Sequence, residues 1–95
     1  MKTKLTELSK VKRNPALVTS NIDGEIVMMS VENGEYYGLD EIGTRIWDLL
    51  ENSLLVNELV DKLIEEFEVG KEDCTRDTLE FLNDLLSRNL LVVEQ

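Results

Sequence analysis

Apolar residues follow two different spacings along this chain. Up to about residue 39 they come in short runs, broken by Asp-Gly and Asn-Gly pairs. Beyond that point they recur every three or four residues, the period of a helix with one buried face. Residues 16–21, with Leu17 and Val18, read as a first strand that Pro15 introduces, because proline pushes the preceding residue toward extended backbone. Asp23-Gly24 then signals a two-residue hairpin turn. Residues 25–31 carry Ile26, Val27, Met28, Met29 and Val31, apolar on both faces, as a central strand would be. Asn33-Gly34 signals a second hairpin turn, and residues 35–39, with Tyr36 and Tyr37, a third strand. The expected sheet is a three-stranded antiparallel meander with its first and third strands at the edges.

Asp40 is placed to cap a first helix over 41–50. Ile42, Ile46, Trp47, Leu49 and Leu50 share one face of it. Gly43 inside this helix costs about 1 kcal/mol relative to alanine, which close packing of the backbone against the sheet would offset. Val56, Leu59, Val60, Leu63, Ile64 and Phe67 give the clearest amphipathic spacing, a second helix over 56–67. A third helix spans 72–88, with acids in its first turn and Arg88 in its last, as the helix dipole favours. Asn89 suits the left-handed position beyond its end. Two apolar stripes run along this helix: Leu79, Leu82 and Leu86, and beside them Cys74, Thr78, Phe81 and Leu85. Either both face the core, or one faces the core and the other lines a groove. Residues 90–93 form a short apolar tail. Residues 1–14 read as a polar lead-in, which leaves 15–95 as the domain. Three strands followed by three helices give an α+β fold class, winged-helix-like, with the sheet leading.

Charge narrows the function. Twenty acids against ten bases give a net charge of −10 over 95 residues. The bases are segregated: five of them, against Glu7 alone, lie in the first thirteen residues. Residues 14–95 therefore carry −14. Nucleic-acid binding begins with phosphate neutralisation, and a body this acidic excludes it as a leading reading. The chain has no histidine and one cysteine, Cys74, so no Cys–His pair or zinc cluster is available. The acidic pairs Glu65–Glu66 and Glu72–Asp73 fall on helices, where neighbours point apart. No catalytic residue, metal site or cofactor is expected. No apolar run reaches the roughly 18 residues of a membrane span, and the N-terminus lacks the apolar core of a secretory signal. The expected compartment is the cytoplasm.

An open sheet edge presents unpaired N–H and C=O groups, which a binding protein can use to add an extended peptide as a further strand. The third strand is that edge, and the second stripe of the third helix would wall a groove beside it. Tyr36 and Tyr37 point to opposite faces, one to the core and one to a peptide side chain. Residues alone thus lead to an acidic α+β interaction module.

Particular residues add to this. Asp23-Gly24 precedes an apolar strand, followed by Gly34-x-Tyr36-x-x-Leu39-Asp40 and Gly43-x-x-Ile46-Trp47-x-Leu49-Leu50. Further on come Glu58-Leu59-Val60-x-x-Leu63, Asp77-x-x-x-Phe81-Leu82-x-x-Leu85 and Asn89-Leu90-Leu91. In order and spacing, residues 23–91 resemble the PqqD-like family of precursor-peptide recognition elements, above all the stand-alone leader-binding proteins of lasso-peptide biosynthesis. Asp40 replaces a frequent Asn, Asn89 a usual Gly, and Leu55 a usual Ser or Thr cap, for which Ser53 is the alternative. The resemblance implies a peptide chaperone that binds the leader of a ribosomally made precursor by strand addition. Glu35, Tyr36, Tyr37, Gly38 and Leu39 would pair with the leader backbone. Phe81 and Leu85 would form an apolar pocket; Asp77, Asp84 and Glu35 would meet leader cations, and Arg88 a leader acid. Implied partners are a leader peptidase and a ring-forming synthetase, with the protein a monomer or a weak edge-strand dimer. The alternatives are a PqqD-like carrier serving a radical enzyme of quinone cofactor biosynthesis, a winged-helix transcription regulator and a subunit docking through its acidic face.

Overall fold

A computed structural model describes residues 5–15, 17–23, 25–30 and 34–94, with the backbone alone at Val18, Ser30 and Glu35. The elements run β1 (Lys10–Arg13), β2 (Val18–Ile22), β3 (Glu25–Ser30), β4 (Glu35–Gly38), α1 (Glu41–Leu49), β5 (Leu54–Leu55), α2 (Val56–Glu66), α3 (Lys71–Ser87) and β6 (Leu91–Glu94). The fold is α+β, as expected, but it has two antiparallel three-stranded sheets, β2-β3-β4 and β5-β1-β6.

The first sheet is the expected meander. Ile22 pairs with Glu25, and between them Asp23 takes φ 54°, the left-handed region that two-residue hairpin turns use. Ser30 pairs with Glu35, and Gly34 enters β4 at φ 67°. The other residues assigned to these turns and strand ends, Gly24, Asn33, Ala16 and Val31, lie outside the described residues. In β3, Ile26 and Met28 are buried, while Val27 and Met29 on the opposite face are half-buried.

The second sheet corrects two expectations. Residues 1–14 are not merely a lead-in, because Lys10–Arg13 is the central strand of this sheet. It pairs with Leu91–Glu94 on one side and Leu54–Leu55 on the other. Val11 is fully buried, and Leu5 ahead of it is buried as well. Four residues with three bases look like a solvated arm, yet alternation turns Val11 inward. The apolar tail, residues 90–93, contributes to β6 for the same reason. Leu55 stands at the start of α2 because it ends β5. With no side chain there to cap the helix, Glu58 reaches back and accepts the Leu55 N–H at 2.9 Å. Ser53 precedes this strand.

Two other helix ends follow their sequences. Asp40 caps α1 by accepting the Gly43 N–H at 2.7 Å. At the end of α3 Asn89 takes φ 63°. The Leu90 N–H bonds Leu85 O at 2.9 Å and the Asn89 N–H bonds Leu86 O at 3.1 Å, the paired bonds of a Schellman motif. One apolar core joins all three helices to both sheets, with Trp47, Met28, Leu59, Leu63 and Leu82 among its fully buried members.

Candidate functional site

The free edge of β4 is the first component. Leu39 N–H donates to Ile26 O at 2.9 Å, across the register that pairs Val27 with Gly38 and Met28 with Tyr37. Backbone groups alternate in direction along an antiparallel ladder. Glu35, Tyr37 and Leu39 therefore bond inward to β3, and the N–H and C=O groups of Tyr36 and Gly38 point out from the edge. Of the five residues expected to pair with a peptide backbone, two are oriented to do so. β4 ends its sheet, with no further strand paired to it among the described residues, so this edge is open. Thr44 secures its end from α1: the Thr44 Oγ1 accepts the Ile26 N–H at 3.1 Å and donates to Leu39 O at 3.3 Å. Nothing in the sequence marked Thr44 for this task.

A hollow of about 450 Å³ opens where β4 ends. Gly38, Leu39 and Asp40 form one side, Ile42, Gly43 and Ile46 of α1 another. Leu63 of α2 and Phe67 just past its end close the back, and Asp73, Asp77 and Phe81 of α3 face the strand, over Cys74 and Thr78. Gly43 explains how α1 and α3 come so close. A Cβ there would stand 3.1 Å from Asp40 Oδ1 and 3.4 Å from both Leu39 Cβ and Phe81 Cζ. Its close neighbours are thus the cap and α3 as well as Leu39, the residue that follows β4. The hollow is apolar with carboxylates at its rim and no base in its lining. Arg76 lies outside it, pairing with Asp73 at 3.2 Å and Asp77 at 3.6 Å.

At the other end of α3, Arg88 straps the helix to the strand. Its guanidinium lies 5.1 Å from the Tyr37 ring centroid and bonds both Asp84 oxygens at 3.2 Å. The contact with Tyr37, and after it the Asp84 carboxylate, raises the pKa of this group above its ordinary value.

The structure thus brings together most of the expected residues and reassigns some. Asp77, Phe81, Asp84 and Arg88 recur at four, three and four residues, a single stripe of α3 facing β4. Leu85 is not part of it. At 3% exposure it belongs to the core with Leu82, and Cys74 and Thr78 of the same stripe are buried as well. Asp84 and Arg88, expected to meet opposite charges on a ligand, hold each other. Tyr37 packs against the core beneath Arg88, whereas Tyr36 is 73% exposed on the sheet face away from it. For Glu35 the backbone alone is described. Asp40, Gly43 and Asp73 join the site without having been expected there; the spacing of Asp73 to Asp77 was the available signal. Among the described residues no group of three or more His, Cys, Asp or Glu could hold a metal ion, and no helix is long and apolar enough to cross a membrane.

Known proteins share this fold. Residues 25–91 match the family described as Coenzyme PQQ synthesis protein D (PqqD). No curated protein matches. Among solved structures, TbiB1 in complex with the TbiA(beta) leader peptide superposes with a TM-score of 0.77 and 39% identity, over 84% of this chain and 93% of that one. Lasso peptide synthetase B1 complexed with the leader peptide superposes with a TM-score of 0.69, over 86% of this chain and 96% of that one. At 20% identity this second likeness speaks to the fold. With the family match running from β3 to the start of β6, and so through every element that builds the groove, the chain belongs to the PqqD family.

Proposed function

We propose that this protein binds the leader segment of a ribosomally synthesised precursor peptide, without catalysing a reaction, and delivers it to a leader peptidase and a ring-forming synthetase of lasso-peptide type. The observation that carries this reading is the open β4 edge beside an apolar, acid-rimmed hollow, in a chain 39% identical to a protein solved with a leader peptide. The leader adds as a strand through the outward N–H and C=O groups of Tyr36 and Gly38. A large apolar leader side chain enters the hollow against Phe81, and leader cations or N–H donors meet Asp77 and its neighbours. A disordered leader loses conformational entropy on binding, and a preformed edge and hollow offset that loss. Holding the precursor on the module raises its effective concentration at an enzyme bound to the same module. The same 39% identity to a protein solved with a leader peptide favours a lasso-type leader over a role in the coenzyme PQQ synthesis that the family's description names. The acidic body argues against a transcription regulator.

The test is fluorescence anisotropy of the labelled TbiA(beta) leader peptide titrated with this protein and three variants. Proline at an outward N–H of an edge strand leaves the sheet intact, so Tyr36→Pro should fold and lose about tenfold or more in affinity as the backbone bond and its neighbours fail. Tyr36→Ala should bind nearly as the parent does, and Phe81→Asp should lose binding while remaining folded. Wild-type affinity in Tyr36→Pro would rule out strand addition at β4.

A further inference from the structure

Three bases of this protein lie together on β1. Among the described residues Arg45, Lys71, Arg76 and Arg88 each hold a carboxylate within 4.0 Å. Lys10, Lys12 and Arg13, neighbours on β1, hold none, in a chain where acids outnumber bases two to one; Lys62 on α2 is the other described base in that state. Lys12 and Arg13 line a second hollow of about 260 Å³, together with Asn14, Leu17, Trp47 and Glu51. Arg13 is anchored there. Its guanidinium lies 5.8 Å from the Trp47 ring centroid, and its Nη1 donates to Trp47 O at 3.3 Å.

The position of this hollow follows from the direction of the groove. Tyr37 meets Arg88 at the C-terminal end of α3, while Gly38 and Leu39 border the first hollow beside Asp77 and Phe81. β4 and α3 therefore run in opposite directions. Every pairing in this sheet is antiparallel, and a strand added to β4 in the same manner runs parallel to α3. It enters beside Asp77 and leaves beside Arg88. Just beyond Arg88, the Asn14 N–H donates to Leu90 O at 3.0 Å and the Asn14 Nδ2 to Asn89 O at 2.9 Å. The exit of the groove thus adjoins the end of β1 and the hollow that Lys12 and Arg13 line.

We propose that this hollow is a second subsite for the precursor peptide: residues following the strand-paired leader segment cross it, and a carboxylate side chain among them is held by Lys12 and Arg13. The inference rests on strand addition at β4. It also runs against the charge of the whole molecule, since a protein at −10 repels an acidic tail from most of its surface. A preference for acid must therefore come from a local seat.

The experiment begins with the shortest fragment of the TbiA(beta) leader that retains binding, found by truncation from its C-terminus. That fragment is extended with a Gly-Ser tail carrying two Glu, two Gln or two Lys residues, and affinities are measured by anisotropy at low and high salt. The Glu tail should bind roughly two- to fivefold more tightly than the Gln tail, the range of exposed ion pairs, and the Lys tail no better than the Gln tail. Lys12→Gln and high salt should each close the gap, while Lys62→Gln should leave it open. Amide NMR shifts at Lys12 and Asn14 should respond to the Glu-tailed peptide and not to the bare fragment, which keeps the result independent of any effect of Lys12→Gln on folding. Equal affinities for the Glu and Gln tails, or tightest binding of the Lys tail, would overturn the second subsite and leave strand addition standing. No binding by any leader fragment would remove both.

Discussion

The two sheets have three strands each and are built in opposite ways. β2, β3 and β4 are consecutive along the chain, and their sheet leaves β4 open beside α3. β5, β1 and β6 come from the middle, the beginning and the end of the described chain, and their sheet ties those parts into one core. The locally encoded sheet thus supplies the binding edge, and the sheet assembled from distant segments supplies closure. If this division is right, damage to β1 should act on folding, and damage along β4 and α3 on binding.

The largest effect should come from Val11→Asp. Val11 is fully buried at the centre of the second sheet, and a carboxylate there has no partner. The expected loss is about 4 kcal/mol or more, the range of buried unpaired charges, enough to unfold a marginal domain. Urea unfolding followed by circular dichroism measures it. A variant that stays folded with only a small drop in midpoint would mean that β1 is an accessory.

A smaller effect is expected at Gly43→Ala, where the two kinds of damage meet. Alanine gains about 1 kcal/mol in helix propensity. Its Cβ would press on Asp40 Oδ1 at 3.1 Å and Phe81 Cζ at 3.4 Å, and overpacking costs roughly 1–3 kcal/mol. Stability should fall by about 1 kcal/mol, and leader affinity should fall as Phe81 shifts. Unchanged affinity would show that Phe81 need not touch α1 to bind.

The contrast between sheets also explains what could be read from the sequence. Asp23, Gly34, Asp40 and Asn89 announce turns and caps through their own backbone preferences, and each described one takes its expected conformation. The α+β class and the β4 edge follow from such local signals. β1 and β5 do not, because four and two residues are too few to show a period, and their partners lie far along the chain. At the site, the family resemblance singled out Asp77, Phe81, Asp84 and Arg88, which share one stripe. It missed the inward turn of Leu85, which depends on where α3 sits relative to β6 and the core. It missed the Asp84–Arg88 pair as well, since side chains four apart on a helix satisfy each other before they meet a ligand. Gly43 looked like a cost within a helix until Phe81 was seen against it.

Arg88→Gln sharpens the comparison on the binding side. The variant removes the strap between α3 and Tyr37 without touching the core, so thermal stability should change little. Leader affinity should fall roughly two- to fivefold, the worth of an exposed cation–π contact, because the exit end of the groove is no longer held at one width. A rise in affinity would instead mean that Arg88 and Asp84 must separate before a leader binds, and that their pairing opposes capture.

The smallest effect belongs to a contact at neither sheet. Arg45 on α1 donates from Nε to Glu66 Oε1 at 2.6 Å and from Nη2 to Oε2 at 2.9 Å, linking α1 to α2 on the surface. The hydrogen bond from Arg45 holds the Glu66 carboxyl below its ordinary value. A carboxyl whose pKa is lowered by folding stabilises the fold above its unfolded pKa, and that contribution disappears as pH falls through the lower folded value. Glu66→Gln should therefore melt slightly below the parent at neutral pH, and the two should converge as the pH falls through the lowered pKa of the Glu66 carboxyl. Salt should narrow the gap at neutral pH, since both groups are exposed. Leader binding should not change at any pH at which both proteins are folded. A gap that persists in acid would show that Glu66 acts through packing, and a loss of leader affinity would show that the angle between α1 and α2 sets the first hollow, which Ile46 and Leu63 line from those two helices.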